Sequence, residues 1–176
     1  ERQEGRRAQD FGAPPAPVAP SLGPERNLLL LFLRDESWLE RAVRDVGPED
    51  FRYPVYRTLY EKLIELEGNR DADGAWLEAF PPEVLPVLEE LRGDPEAAEI
   101  GDAEAYFQAN LHRLLARPFE ERLTEIEREM TVATPEQQAL LLQETRQITA
   151  MMRERGLLKK SGILRNVQNA GRNRSR

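Results

Sequence analysis

Cysteine is absent from the 176 residues and histidine occurs once. Structural zinc sites draw on clustered Cys and His ligands and disulfide scaffolds on paired cysteines, so neither can be built here. Long apolar runs are missing too. The longest, Leu28 to Leu33, has six residues, against the roughly 20 needed to cross a bilayer, so no membrane association is expected. No two glycines are separated by one residue and no lysine follows a glycine-rich loop, which removes the dinucleotide and P-loop phosphate cradles. No Glu-x-x-His pair of the di-iron kind exists.

The residues for nucleophilic catalysis are equally thin. A Ser-His-acid arrangement would have to use His112 with a serine on a shaped turn. Ser21, Ser37, Ser161 and Ser175 include none in a Gly-x-Ser-x-Gly context. His112 therefore reads as part of a polar helix face. Asn69, Asp71, Asp73 and Gly74 match positions one, three, five and six of a calcium-binding loop, but position twelve is Phe80 where a bidentate glutamate is needed. A polar turn between helices is the expectation. Glu121, Glu125 and Glu129 recur every four residues, as a solvated helix face does, whereas acid/base catalysis needs carboxylates converging in a pocket. No catalytic, cofactor-binding or metal-binding residue is assigned, and the chain reads as a binding module.

What the chain does hold is charge, unevenly spread. There are 32 acidic and 25 basic residues, net −7. Residues 1–23, with Pro14, Pro15, Pro17 and Pro20, are neutral and read as a flexible linker. Residues 157–176 carry Lys159, Lys160, Arg165, Arg172, Arg174 and Arg176 without an acid, a +6 tail read as disordered. Residues 24–156 then hold 29 acids against 16 bases, net −13. The first residue is Glu and no signal or transit pattern follows it, so the chain is expected to be a piece of a longer protein.

The apolar residues fall at helical spacing, and no stretch alternates as a half-buried strand does; the expectation is an all-α protein. Pro24 opens a helix whose Leu28–Leu33 run is apolar all round, as suits a helix surrounded by others. Ser37-Trp38-Leu39-Glu40 has capping-box spacing and starts a helix ending at Gly47-Pro48. Pro54 opens a helix striped by Tyr56, Leu59, Tyr60, Leu63, Ile64 and Leu66 and stopped by Gly68. Short helices follow around 75–80 and 82–92, then one capped by Asp102 through Tyr106, Phe107, Leu111, Leu114 and Leu115.

Beyond that the pattern narrows. Phe119, Leu123, Ile126 and Met130 make a coiled-coil-like seam, and after a turn at Thr131 to Ala133 the box Thr134-Pro135-Glu136-Gln137 opens a helix bearing Leu141, Thr145, Ile148 and Met152 before Gly156. All twelve aromatics lie at or before Phe119, so the last two helices read as a hairpin (117–156) appended to a helical bundle (24–116). Pro118 either breaks the bundle's last helix or kinks a longer one.

The succession Glu25-Arg26-Asn27 with its leucine run, Asp50-Phe51-Arg52-Tyr53-Pro54-Val55-Tyr56 leading to Leu63-Ile64, and Tyr106-Phe107 through Leu114-Leu115-Ala116-Arg117-Pro118 before two amphipathic helices resembles the C-terminal, helicase-binding domain of bacterial DNA primase (DnaG type). The resemblance covers about 24–156 and rests on apolar and turn residues. It implies a helical bundle followed by a C-terminal helical hairpin, a cytoplasmic location, no cofactor in this fragment, and docking on the N-terminal collar of the replicative hexameric helicase during DNA replication. The catalytic and zinc-binding parts of such a primase would precede the linker.

On that reading the hairpin presents Leu140, Leu142, Met151 and Met152 to the helicase, with Arg146, Arg153 and Arg155 as a polar rim. The same helical spacing also suits an intramolecular seam, the role read for Leu141, Ile148 and Ile126. Two alternatives remain open. One is the N-terminal domain of the replicative helicase, in which a linker and an ATPase domain should follow the bundle. The other is a nucleic-acid-binding adaptor acting through 157–176, whose +6 charge can meet phosphate but offers no stacking ring, while the −13 body repels DNA.

Overall fold

The computed structural model describes residues 22–69 and 74–158. Almost all of the proline-rich linker, the central part of the calcium-like fragment (Asp71 and Asp73) and the basic tail from Lys159 lie outside the described residues. The protein is all-α, with no strand among the described residues.

Helix α1 (Pro24–Arg34) is the centre of the bundle. Leu28, Leu29, Leu31 and Phe32 are fully buried and Leu30 nearly so, because α1 packs against four other long or medium helices at once. Each fully buried side chain of this kind contributes about 1.5–3 kcal/mol, which makes the all-round apolar run the largest block of the core. Helix α2 (Glu36–Ala42) follows after one residue. Its cap is Asp35, whose carboxylate accepts from Ser37 N–H at 2.9 Å, rather than the Ser37 box expected from spacing. The chain leaves the helix at Ala42 and turns, so Val46 is buried beyond its end and Gly47-Pro48 begins a short 3-10 turn, Pro48–Asp50.

Helix α3 (Pro54–Glu65) buries Tyr56, Leu59, Tyr60 and Leu63. The Tyr60 ring stacks on Phe51 at 4.5 Å between centres, and its hydroxyl donates to Val46 O at 2.9 Å; burial pushes the Tyr60 pKa well up, with Asp50 and Glu49 adding to the shift. A 3-10 turn (Ala75–Ala79) replaces the first of the two short helices expected after α3, Gly74 taking the left-handed φ of 77° that begins it. Phe80, the residue in the calcium-loop glutamate position, is a core residue at 4% exposure. Helices α4 (Leu85–Arg92) and α5 (Glu96–Glu99) complete this side.

Helix α6 spans Ala103–Met130, 28 residues with Pro118 inside it. Its cap is Asp102, accepting from Ala105 N–H at 2.9 Å. Of the two outcomes the sequence left open at Pro118, a break is absent: the helix runs on. Its first half closes the bundle against α1. There Trp38 meets Phe107 at 5.1 Å, and the Arg41 guanidinium lies over both rings while both its terminal nitrogens donate to Glu104, at 2.6 and 2.8 Å. Helix α7 (Pro135–Glu154) starts at the predicted box: Gln137 N–H donates to Thr134 Oγ1 at 3.4 Å, and Thr134 N–H to Gln137 Oε1 at 2.9 Å. It ends in a Schellman turn, Gly156 in the left-handed region with Leu157 N–H reaching Met152 O at 2.7 Å.

The three sequence segments that carry the resemblance meet in space. The Glu25 carboxylate, buried at the start of α1, accepts from the backbone N–H of Arg52 (3.0 Å) and Tyr53 (3.2 Å) and from Arg117 Nη1 (2.5 Å). Arg117 Nη2 donates to Asp50 O at 2.6 Å. Arg26 pairs with Asp94 and, at 3.5 Å, with Glu96, and Asn27 Nδ2 donates to Asn110 Oδ1 at 3.0 Å. Glu25-Arg26-Asn27 is thus a set of staples joining α1 to the rest of the bundle.

Candidate partner-binding surface

Past Phe119 the second half of α6 and the whole of α7 form an arm with a core of its own. Ala116, Ile126, Ile148, Met152 and Leu157 are buried together, with Phe119, Leu123, Met130 and Leu141 partly buried around them. The contacts fix the two helices as antiparallel: Gln138 Nε2 donates to Met130 O near the turn, Arg122 reaches Glu144 midway, and Arg155 lies over the Phe119 ring at 5.6 Å at the other end. Arg122 is the polar hub. It donates to Glu144 (2.7 and 2.9 Å), Glu125 (2.7 Å) and Glu129 (2.8 Å). The bond from Arg122 holds the Glu144 carboxyl below its ordinary pKa, and the same carboxylates raise that of Arg122. Glu121 pairs with Arg52, so Glu121, Glu125 and Glu129 are each in an ion pair on helix faces.

The seam residues occupy the positions the periodicity gave them, with Ile126 and Ile148 buried and Leu141 half-buried. The interface candidates divide. Leu140 is 67% exposed, Leu142 48% and Met151 40%, whereas Met152 is 4% exposed and belongs to the seam, so its assignment to the partner surface is corrected. Nor do the exposed ones share one face. Leu140 and Met151 stand eleven residues apart, close to three turns and about 16 Å along one flank of α7. Leu142, Arg146 and Arg153 align at spacings of four and seven on the opposite flank, all exposed. Arg155 sits at the bundle end of the arm over Phe119, away from both groups.

Sequence reading missed Val132. It is 87% exposed in the turn between α6 and α7 and joins Leu140, Leu141, Ala133, Gln137 and Glu129 around a groove of about 460 Å³. The signal was a lone β-branched apolar residue in an otherwise polar connector. The apolar edge available to a partner is therefore the tip, Val132 and Leu140, continuing along one flank to Met151.

A second hollow of about 540 Å³ lies between the arm and the bundle, lined by Arg44, Asp45, Gln108, Leu111, His112, Leu115, Arg155, Gly156 and Leu157. His112 is half-buried there. Its lining has no serine, threonine or lysine beside the imidazole and a single carboxylate, so it holds no nucleophile-base pair. Among the described residues no group of three or more His, Asp or Glu side chains is placed to hold a metal ion, and no helix is long and apolar enough to cross a membrane. No family model matches this chain, and neither a curated protein nor a solved structure does.

Proposed function

We propose that this chain is the helicase-interaction domain of a bacterial DNA primase, holding the primer-synthesising enzyme on the N-terminal collar of the replicative hexameric helicase in the cytoplasm. Catalysis belongs to the parent enzyme and not to this fragment. The observation that carries the reading is the arm: its buried seam accounts for Ile126, Ile148 and Met152, and yet Val132, Leu140 and Met151 stay exposed along one edge. Apolar side chains in that position lose contact with water only on a partner, and methionine adapts to an irregular helical surface. The convergence of the three resemblance segments on Glu25 and Arg117 supports the same family reading.

Leu142, Arg146 and Arg153 form a separate basic flank suited to acidic side chains at the rim of the same contact. Co-elution of the full chain with hexameric replicative helicase on gel filtration tests the proposal. Wild type should travel with the helicase, and Val132→Asp with Leu140→Asp should leave it. Co-elution of the double variant at wild-type level would exclude the arm's edge as the docking surface.

A further inference from the structure

An interior proline costs a helix about 3 kcal/mol, because its nitrogen has no hydrogen to give the carbonyl four residues back and its ring crowds that carbonyl. In α6 the carbonyl deprived of its donor is that of Leu114, and Pro118 is itself exposed, so no packing on the ring compensates. Contacts to either side of it set the angle at which the arm leaves the bundle.

On one face is a polar clasp. Arg117 donates to the buried Glu25 carboxylate and to Asp50 O, and one turn on Glu121 pairs with Arg52. The clasp is anchored to the bundle by the Arg52 and Tyr53 N–H groups on Glu25. Gln108 lies nine residues before Arg117, about two and a half turns, and Leu115 and His112 fall on the same side as Gln108. The clasp and the 540 Å³ hollow therefore occupy roughly opposite faces of α6. Beyond the proline the arm is sealed by its own core and by Arg122, so it moves as one piece.

We propose that α6 is a clasped hinge: Pro118 is the pivot, the Glu25–Arg117 and Arg52–Glu121 contacts hold the arm open, and releasing them lets the arm close over the hollow. One rotation does both, since it draws Arg117 and Glu121 away from the bundle as it brings Arg155, Gly156 and Leu157 down on the opposite side. Closure buries the exposed parts of Leu111 and Leu115 against Leu157. It also brings Arg155, on the arm's wall, toward Asp45 on the bundle's wall. The arm's angle then becomes a variable that an event at the clasp can set. This holds whether or not the arm docks on a helicase, because the rearrangement is intramolecular.

The absence of cysteine allows spin labels to be placed cleanly in the full chain. Labels at Glu40→Cys and Glu154→Cys, both exposed, report across the hollow, and labels at Glu127→Cys and Glu136→Cys report within the arm. Pulsed dipolar spectroscopy should give a single narrow distance for each pair. Arg117→Gln should add a second, shorter population across the hollow and leave the arm pair unchanged; Pro118→Ala in the same chain should abolish that population. Arg52→Gln, which removes only the exposed pair and leaves Glu25 satisfied, should produce the same shift to a smaller extent. An unchanged distance across the hollow in Arg117→Gln and Arg52→Gln, a shift toward longer distances, or a second population that persists with Pro118→Ala would overturn the proposal.

Discussion

Met151 and Met152 are neighbours in sequence with opposite circumstances, because successive helical residues point about 100° apart. Met152 fills the seam beside Ile126 and Ile148, while Met151 faces outward. Met152→Ala should lower the unfolding free energy by about 2–4 kcal/mol, through lost burial and the cavity left behind. Met151→Ala should stay within about 0.5 kcal/mol of wild type in the same urea titration. Periodicity located this seam but placed Met152 on both sides of it, since an i, i+4 pattern names the apolar face of a helix without saying where its edge falls. Val132 escaped altogether because a turn residue has no periodicity to be read from.

Glu104 gives a residue-scale prediction of another kind. Bonds from Arg41 and Gln108 hold its carboxyl down at a pKa of about 2, from an ordinary 4.5. A folded-state pKa below the unfolded one means a contribution that is present above about pH 4.5 and lost as pH falls toward 2. Glu104→Gln should therefore flatten the dependence of the urea midpoint on pH between 4.5 and 2.5 and leave the neutral-pH slope unaltered. The pair is on the surface, so the effect is small and weakens with salt.

At the scale of elements, the signals that succeeded were chemical and local. Proline at the first turn marked α1, α3 and α7, and Asp102 and Thr134 cap where their side chains can reach free amides. Thr134→Ala should cost about 1 kcal/mol, read as a lower denaturation midpoint with loss first in the α7 amide signals. The failures have physical causes too. Ser37 and Asp35 both offer a capping oxygen within three residues, and the structure uses the carboxylate, which starts α2 one residue before Ser37. The four-residue α5 carries too little periodicity to be recognised. Pro118 was ambiguous because local chemistry disfavours helix there, and the contacts that hold α6 straight through it come from Glu25, Asp50 and Arg52, far away in the chain.

The whole molecule has two cores of unequal size, and the boundary was legible from aromatic content alone. Every aromatic ring of the bundle core precedes Phe119, and the arm's core is built from Ala, Ile, Met and Leu. The smaller core predicts a graded stability. In native-state hydrogen exchange the α1 amides of Leu28 to Leu31 should open only with global unfolding, and those of α7 should exchange through a lower-energy opening of the arm. Equal opening energies for the two would mean that the arm and bundle unfold as one unit. What the sequence did not contain is the way the exposed residues of α7 fall on two flanks, because that depends on which face of α7 α6 covers.

The central claim, that the tip and one flank of the arm are a docking surface for the replicative helicase, is tested most directly by calorimetric titration of the full chain into the hexamer. Leu140→Asp and Val132→Asp should each weaken binding at least tenfold, about 1.4 kcal/mol, with urea midpoints close to wild type because both side chains are exposed already. Wild-type affinity in both variants, or no heat of binding from the wild-type chain, would contradict it.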